Sequence, residues 1–276
     1  MTRRDSRRTS RVGFTMVELM VVVVIIAVLV SLVASAVMKV VGTVPQVETS
    51  TDIAQLATAL EAFKSDFELT DPPPSVLILN ESAPLSTASG PFLQKMFGKN
   101  LGATDWNGDG TIGGTWTLEG EQCLVFYLGG IGNRGFSFSK ISPTPVTGQK
   151  TRGPYFTFKT SRLVPLTAIN PSAPSAFLVY IDAWQTKNNS KPYAYFSSSG
   201  INNAYGAHCP SITASPYNDG AGHFANSNTY QIVSAGKDGN FATNGVWAPS
   251  GGTAKTNPGY DDQANFSSTV LGVGQN

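Results

Sequence analysis

The chain carries little charge. Asp, Glu, Lys and Arg together make up 13% of its 276 residues, and the formal net charge is +1. A surface that neutralises a phosphate backbone needs clustered Lys and Arg in excess, so nucleic-acid binding is not indicated. Histidine and cysteine are scarcer still, with two of each. His208, His223 and Cys209 fit no standard zinc-ligand spacing. The adjacent pair His208-Cys209 is a poor nucleophile–base dyad, because neighbouring side chains usually point apart. No internal repeat is visible. Glycine (28) and proline (17) are plentiful, which suits a loop-heavy domain containing β-structure better than a helical one.

Against this background stands one long apolar run, the twenty uncharged residues from Leu19 to Met38. At 1.5 Å per residue, about twenty residues cover roughly the 30 Å hydrocarbon core of a bilayer. A secretory signal has a shorter core followed by small residues at a cleavage site, and no such site follows here. Arg3, Arg4, Arg7, Arg8 and Arg11 precede the run against a single Asp5. That asymmetry holds the N-terminus in the cytoplasm and sends the rest across the membrane. Glu18 sits near the start of the span. An ionised carboxylate in lipid costs roughly 2–4 kcal/mol even on lenient scales, so it calls for a compensating partner.

The segment Val12-Gly13-Phe14-Thr15-Met16-Val17-Glu18 closely resembles the processing site of type IV pilins and type II secretion pseudopilins. The resemblance implies cleavage after Gly13 by a prepilin peptidase and N-methylation of the freed amine of Phe14. It also implies that Glu18 pairs with that amine on a neighbouring subunit as helices pack into a filament on an inner-membrane assembly platform. The implied organisation is a leader (1–13), a transmembrane and assembly helix (14–41) and a periplasmic globular domain (42–276). The expected fold is α+β and pilin-like, a long N-terminal membrane-spanning helix packed on a small antiparallel sheet with long loops.

Gly42 and Pro45 predict a kink or break after the span. Ile53, Leu56, Leu60, Phe63 and Phe67 then recur three or four residues apart, an apolar stripe suited to packing a helix on a sheet. Residues 54–69 also resemble the first-helix extension of major pseudopilins. Strands are expected at 123–128, 155–159, 177–181, 193–196 and 230–234, between clusters of Gly, Pro, Asn and Ser. Long loops are expected at 197–229 and 242–260.

Two stretches have the residue types of a calcium site. Asp105, Asn107, Asp109, Gly110 and Thr111 match the opening of a calcium loop, with oxygen ligands on alternate residues and a glycine at the sharp turn. Trp116 occupies the position of the closing acid, and Glu119 and Glu121 follow three and five residues late. Either Glu119 or Glu121 closes the set if Gly113 and Gly114 form a bulge; otherwise the stretch is a plain turn. Ser234-Ala-Gly236-Lys-Asp238-Gly239 resembles the C-terminal element of major pseudopilins, which implies calcium held by Asp238 with Asp261 or Asp262. The long separation of Asp238 from Asp261 departs from the family pattern, and a turn with solvated aspartates is the alternative. Cys123 and Cys209, exported to an oxidising compartment, are expected to pair.

These features point to a structural subunit, a substrate of the processing peptidase rather than an enzyme. One alternative is an adhesive or motility pilin displaying its long loops. Another is a membrane-tethered sugar-binding domain that uses Tyr193, Tyr195, Tyr205, Tyr217 and Trp247.

Overall fold

The computed structural model describes residues 13–175, 177–184 and 190–274. The leader residues ahead of Gly13 lie outside them. The chain is mixed α/β, with one apolar N-terminal helix and several small antiparallel sheets. It divides into two compact units, Met1–Pro45 and Gln46–Asn276.

Helix α1 is assigned from Met16 to Asp66 and contains Pro45. The break expected at Gly42 and Pro45 is absent from this assignment; a proline removes one bond of the ladder, and the flanking turns carry the rest. Met16–Ala34 is long and apolar enough to cross a membrane, and none of it is buried against the protein.

In the second unit, the expected stripe is buried: Ile53, Leu56, Leu60, Phe63 and Phe67 all face the core. Their partners are mainly rings. Phe63 lies 5.2 Å from Tyr127 and 5.5 Å from Tyr155, and Phe67 lies 5.7 Å from both Phe97 and Phe136. Such aromatic pairs contribute about 0.5–1.5 kcal/mol each beyond the area they bury.

Strand β1 (Leu77–Asn80) pairs antiparallel with β2 (Thr115–Leu118), and helix α2 (Gly90–Phe97) lies between them in sequence. Helix α3 (Gly120–Gly129) follows directly, and all ten of its residues are buried. This corrects the strand expected over 123–128. The run Cys-Leu-Val-Phe-Tyr-Leu has no period because the helix has no exposed face, and a short unbroken apolar run fits a buried helix as well as a strand. Its start is set locally, where the Glu119 N–H donates to Gln122 Oε1 at 3.2 Å.

Strands β3 (Phe136–Ser137) and β4 (Thr151–Arg152) form a short pair, as do β5 (Leu163–Pro165) and β6 (Leu178–Tyr180). Strands β7 (Ala194–Ser197), β8 (Tyr230–Ser234) and β9 (Gln263–Ala264) form a three-stranded antiparallel sheet with β8 in the middle. The strands expected near 177–181, 193–196 and 230–234 are therefore present, and α3 packs against β6 and β7. Residues 155–159 form no strand; the N–H groups of Tyr155 and Phe156 both donate to the Leu128 carbonyl at the end of α3.

A buried ion network joins α1 to the β-rich part of this unit. Arg162, only 3% exposed, donates to Asp52 Oδ2 at 2.6 Å and to Glu48 Oε1 at 3.0 Å. Its Nε also donates to the Ile181 carbonyl, and the guanidinium lies 4.4 Å above the Tyr180 ring. Tyr193 Oη completes the set by donating to Asp52 at 2.9 Å. Removing the guanidinium leaves the Asp52 carboxylate buried with a single hydroxyl partner. Arg162→Met is expected to lower unfolding stability by about 3–5 kcal/mol in chemical denaturation. The double variant Arg162→Met/Asp52→Leu is expected to recover a substantial part of that loss.

Candidate functional site

At the N-terminal end, Gly13 and Phe14 precede the first helical turn, and Phe14 is 78% exposed. Thr15 and Glu18 form a capping box: Glu18 Oε2 accepts from the Thr15 N–H at 2.8 Å and from its hydroxyl at 2.7 Å, while the Glu18 N–H donates back to Thr15 Oγ1. Within one chain the carboxylate thus has a partner that sequence reasoning missed, although the Thr-x-x-Glu spacing signals it.

The loop at 105–111 satisfies itself. Asp105 accepts three backbone N–H bonds, from Gly108 at 2.6 Å, Asp109 at 3.2 Å and Gly110 at 2.8 Å. Asn107 Oδ1 accepts from the Asp109 N–H, and Asp109 Oδ1 accepts from both the N–H and the hydroxyl of Thr111. These bonds hold the Asp109 carboxyl below its usual range. Glu121 does not close this loop. It is buried on α3 beside Cys209 and Glu119, and Glu119 instead accepts from the N–H and hydroxyl of Ser211 at 2.9 and 2.8 Å. The carboxylate that does reach the loop is Glu81, just beyond β1 and 1% exposed. It accepts from the backbone N–H groups of Trp106, Gly113 and Gly114 at 3.1, 2.8 and 3.0 Å. Its distance along the chain hides it from any local motif.

The C-terminal elements do come together. Asp261 Oδ2 accepts from the N–H groups of Lys237 and Asp238 at 2.7 and 3.0 Å. Gly236 has φ +64°, and a Cβ there would stand 2.3 Å from the Asp261 carbonyl oxygen, so only glycine fits that approach. Asp262 is fully buried: Oδ2 accepts from the Tyr217 hydroxyl and, at 3.3 Å, from the Ala242 N–H, while Oδ1 has no partner. Burial pushes its carboxyl well above the usual range, and the charges of Asp261 and Asp238 push the same way. Asp238 is also raised, first by burial and then by Asp261. The three carboxylates therefore feel one another. Even so, no group of three His, Cys, Asp or Glu side chains converges as a metal-ligand set among the described residues.

Cys123 and Cys209 are buried free thiols, not the expected disulfide. Each is turned to a carbonyl instead, Cys123 to Leu118 at 3.6 Å and Cys209 to Tyr195 at 3.4 Å. Burial pushes both thiols well above their usual range, and the Glu121 carboxyl beside them adds to this. His208 pairs with Ser75, Nδ1 to Oγ at 2.6 Å, and is not joined to the neighbouring thiol. The aromatic face suggested for sugar binding does not form, because Tyr193, Tyr195, Tyr217 and Trp247 are buried. No protein-family model, curated protein or solved structure matches the chain.

Glu121 is the least comfortable group in the core. It is 1% exposed, and neither carboxyl oxygen has a hydrogen-bond partner. Burial, reinforced by Glu119, raises its pKa from 4.5 to about 8. A folded-state pKa above the unfolded one favours folding fully below about pH 4.5; that contribution falls as pH rises through about 8. The loss is about 1.4 kcal/mol per pH unit across that window. Glu121→Gln removes the proton from the balance, so unfolding free energy measured from pH 5 to 8 is expected to lose this slope. A variant with the parental slope would place the buried acid elsewhere.

Proposed function

We propose that the chain is the structural subunit of a type IV pilus-like or type II secretion pseudopilus filament, cut after Gly13 and N-methylated at Phe14. The observation that carries this reading is the junction Gly13-Phe14 with Glu18, set directly ahead of an apolar helix with no buried side. Such a helix needs lipid or other helices around it. On this reading it anchors the chain in the inner membrane with the C-terminal unit in the periplasm, and assembly transfers it from lipid to the filament interior. The burial of the 53–67 stripe agrees with a pilin-like α+β arrangement in which the same helix continues into the globular unit. Partners are the prepilin peptidase, the assembly platform and further copies of the chain.

Glu18 then has two successive partners. In the free chain it caps Thr15; in the filament it pairs with the amine of Phe14 on a neighbour. The two roles separate experimentally. Glu18→Gln keeps an amide oxygen for the cap and removes the charge, so it is expected to be inserted and cleaved normally while failing to assemble. Normal filaments from this variant would reduce Glu18 to a helix cap. Mass spectrometry of the wild-type protein in assembled material is expected to find a chain that starts at N-methylated Phe14; a retained leader would sink the proposal.

Calcium belongs to this reading at the C-terminal loop, where the partnerless Oδ1 of Asp262 and the mutual repulsion of Asp238, Asp261 and Asp262 suit a divalent cation. At the 105–111 loop the acid that arrives, Glu81, is already taken by three backbone N–H groups, and the loop's own backbone donors occupy its carboxylates. A cation bound only by the folded chain stabilises it by about 2.7 kcal/mol at a hundredfold excess over Kd. Calcium is expected to raise the melting temperature of the parent and of Asp109→Ala equally, and not that of Asp262→Asn. Equal melting in chelator and in excess calcium would remove the metal from the assignment.

A further inference from the structure

The C-terminal end of α1, the last turn of α2 and the β3–β4 pair enclose a cleft of about 320 Å³ that none of the features above uses. Charges of both signs line it, in a chain where charge is scarce. Asp66 and Glu68 stand at the end of α1 and just beyond it. Facing them are Lys95 on α2, Lys140 in the segment after β3, and Arg152 on β4. Lys95 lies 3.9 Å from Asp71, and Asp66 Oδ2 accepts the Tyr155 hydroxyl. The other three charges are uncommitted: among the described residues, no ion pair joins Arg152, Lys140 or Glu68 to any partner.

Arg152 is held in place in advance. Its guanidinium carbon lies 4.9 Å from the Phe67 ring centroid and 5.2 Å from that of Phe138, and β3 fixes its backbone opposite Phe136. This packing seals off Nε, which bonds nothing. The two terminal nitrogens are not sealed in with it and carry no bond to the protein, so they form the open side of the group. Glu68 directly follows Phe67, one of the rings on which the guanidinium rests, and its side chain is exposed. The two opposite charges thus flank one ring without meeting.

That division of charge defines what fits. A simple anion gains Arg152 but meets Asp66 and Glu68, and a simple cation gains the carboxylates but meets Arg152 and Lys140. A phosphate dianion is matched less well than a carboxylate, since two acids share the cleft with it. A planar carboxylate suits the fork of a guanidinium, which donates to both of its oxygens. A molecule that carries one carboxylate and one ammonium group is matched on both sides. The volume, at the small end of the range for ligand sites, calls for a small one.

We propose that this cleft binds a free α-amino acid, its carboxylate on the terminal nitrogens of Arg152 and its ammonium group on Glu68. The proposal does not rest on filament assembly.

The test uses the full chain in dodecyl maltoside, an uncharged detergent. Glycine, alanine and glutamine are titrated by calorimetry and saturation-transfer NMR, beside acetate, methylammonium and phosphoethanolamine. At least one amino acid is expected to bind saturably, with each of the other three compounds at least about tenfold weaker. Arg152→Gln removes the fork and is expected to weaken the best amino acid by about tenfold or more. Because Arg152 also packs on Phe67, a second variant separates binding from folding. Glu68→Gln alters an exposed side chain, so it is expected to keep the parental melting temperature, weaken the amino acid by about tenfold, and leave acetate bound at least as well as by the parent. The proposal fails if no amino acid binds saturably, if acetate or phosphoethanolamine binds as tightly as the best amino acid, or if Glu68→Gln binds amino acids like the parent.

Discussion

A helix buried on every side has to be surrounded, and α3 imposes that requirement on the globular unit. Its ten residues present no polar face. Sheet edges, the α1 stripe and a shell of aromatic rings must therefore close around it, although no sheet among the described residues exceeds three strands. Small sheets with short strands cannot form an independent core. Packed around a common apolar helix, they do not need to. The same enclosure makes Glu121 costly and keeps Cys123 a thiol.

Parts of this arrangement were legible in the sequence because their signals are local. The apolar run and the 53–67 stripe have the length and period of helices, and residues 230–234 read as a strand that the structure reproduces at both ends. The α3 helix was misread because full burial erases the period that distinguishes helix from strand. Its capping pair Glu119 and Gln122 was the one local cue, and it lay beside the residues taken for calcium ligands.

The candidate sites divide along the same line. Asp238 and Asp261, more than twenty residues apart, meet because Gly236 lets the backbone of one loop approach the other. Nothing local announces Glu81, which acts on a loop that begins two dozen residues later and takes a place sequence reasoning gave to Glu121. Thr15 is legible locally, because the Thr-x-x-Glu spacing to Glu18 is that of a helix cap. The disulfide expectation failed for a different reason: export and pairwise count say nothing about where two side chains point, and these two point to carbonyls.

Arg162 touches α1 at Glu48 and Asp52, which lie four residues apart and so on successive turns of one face. Two anchors about 6 Å apart along the helix axis fix translation and rotation together. Sliding the helix forward by one residue would take both carboxylates out of reach at once, and no neighbouring acid on that face would replace them. The guanidinium thus acts as an index mark, setting the register between the helix and the β5–β6 pair beside it. A force drawn along the helix would meet these bonds in parallel rather than one after another, which is the geometry that best resists shear.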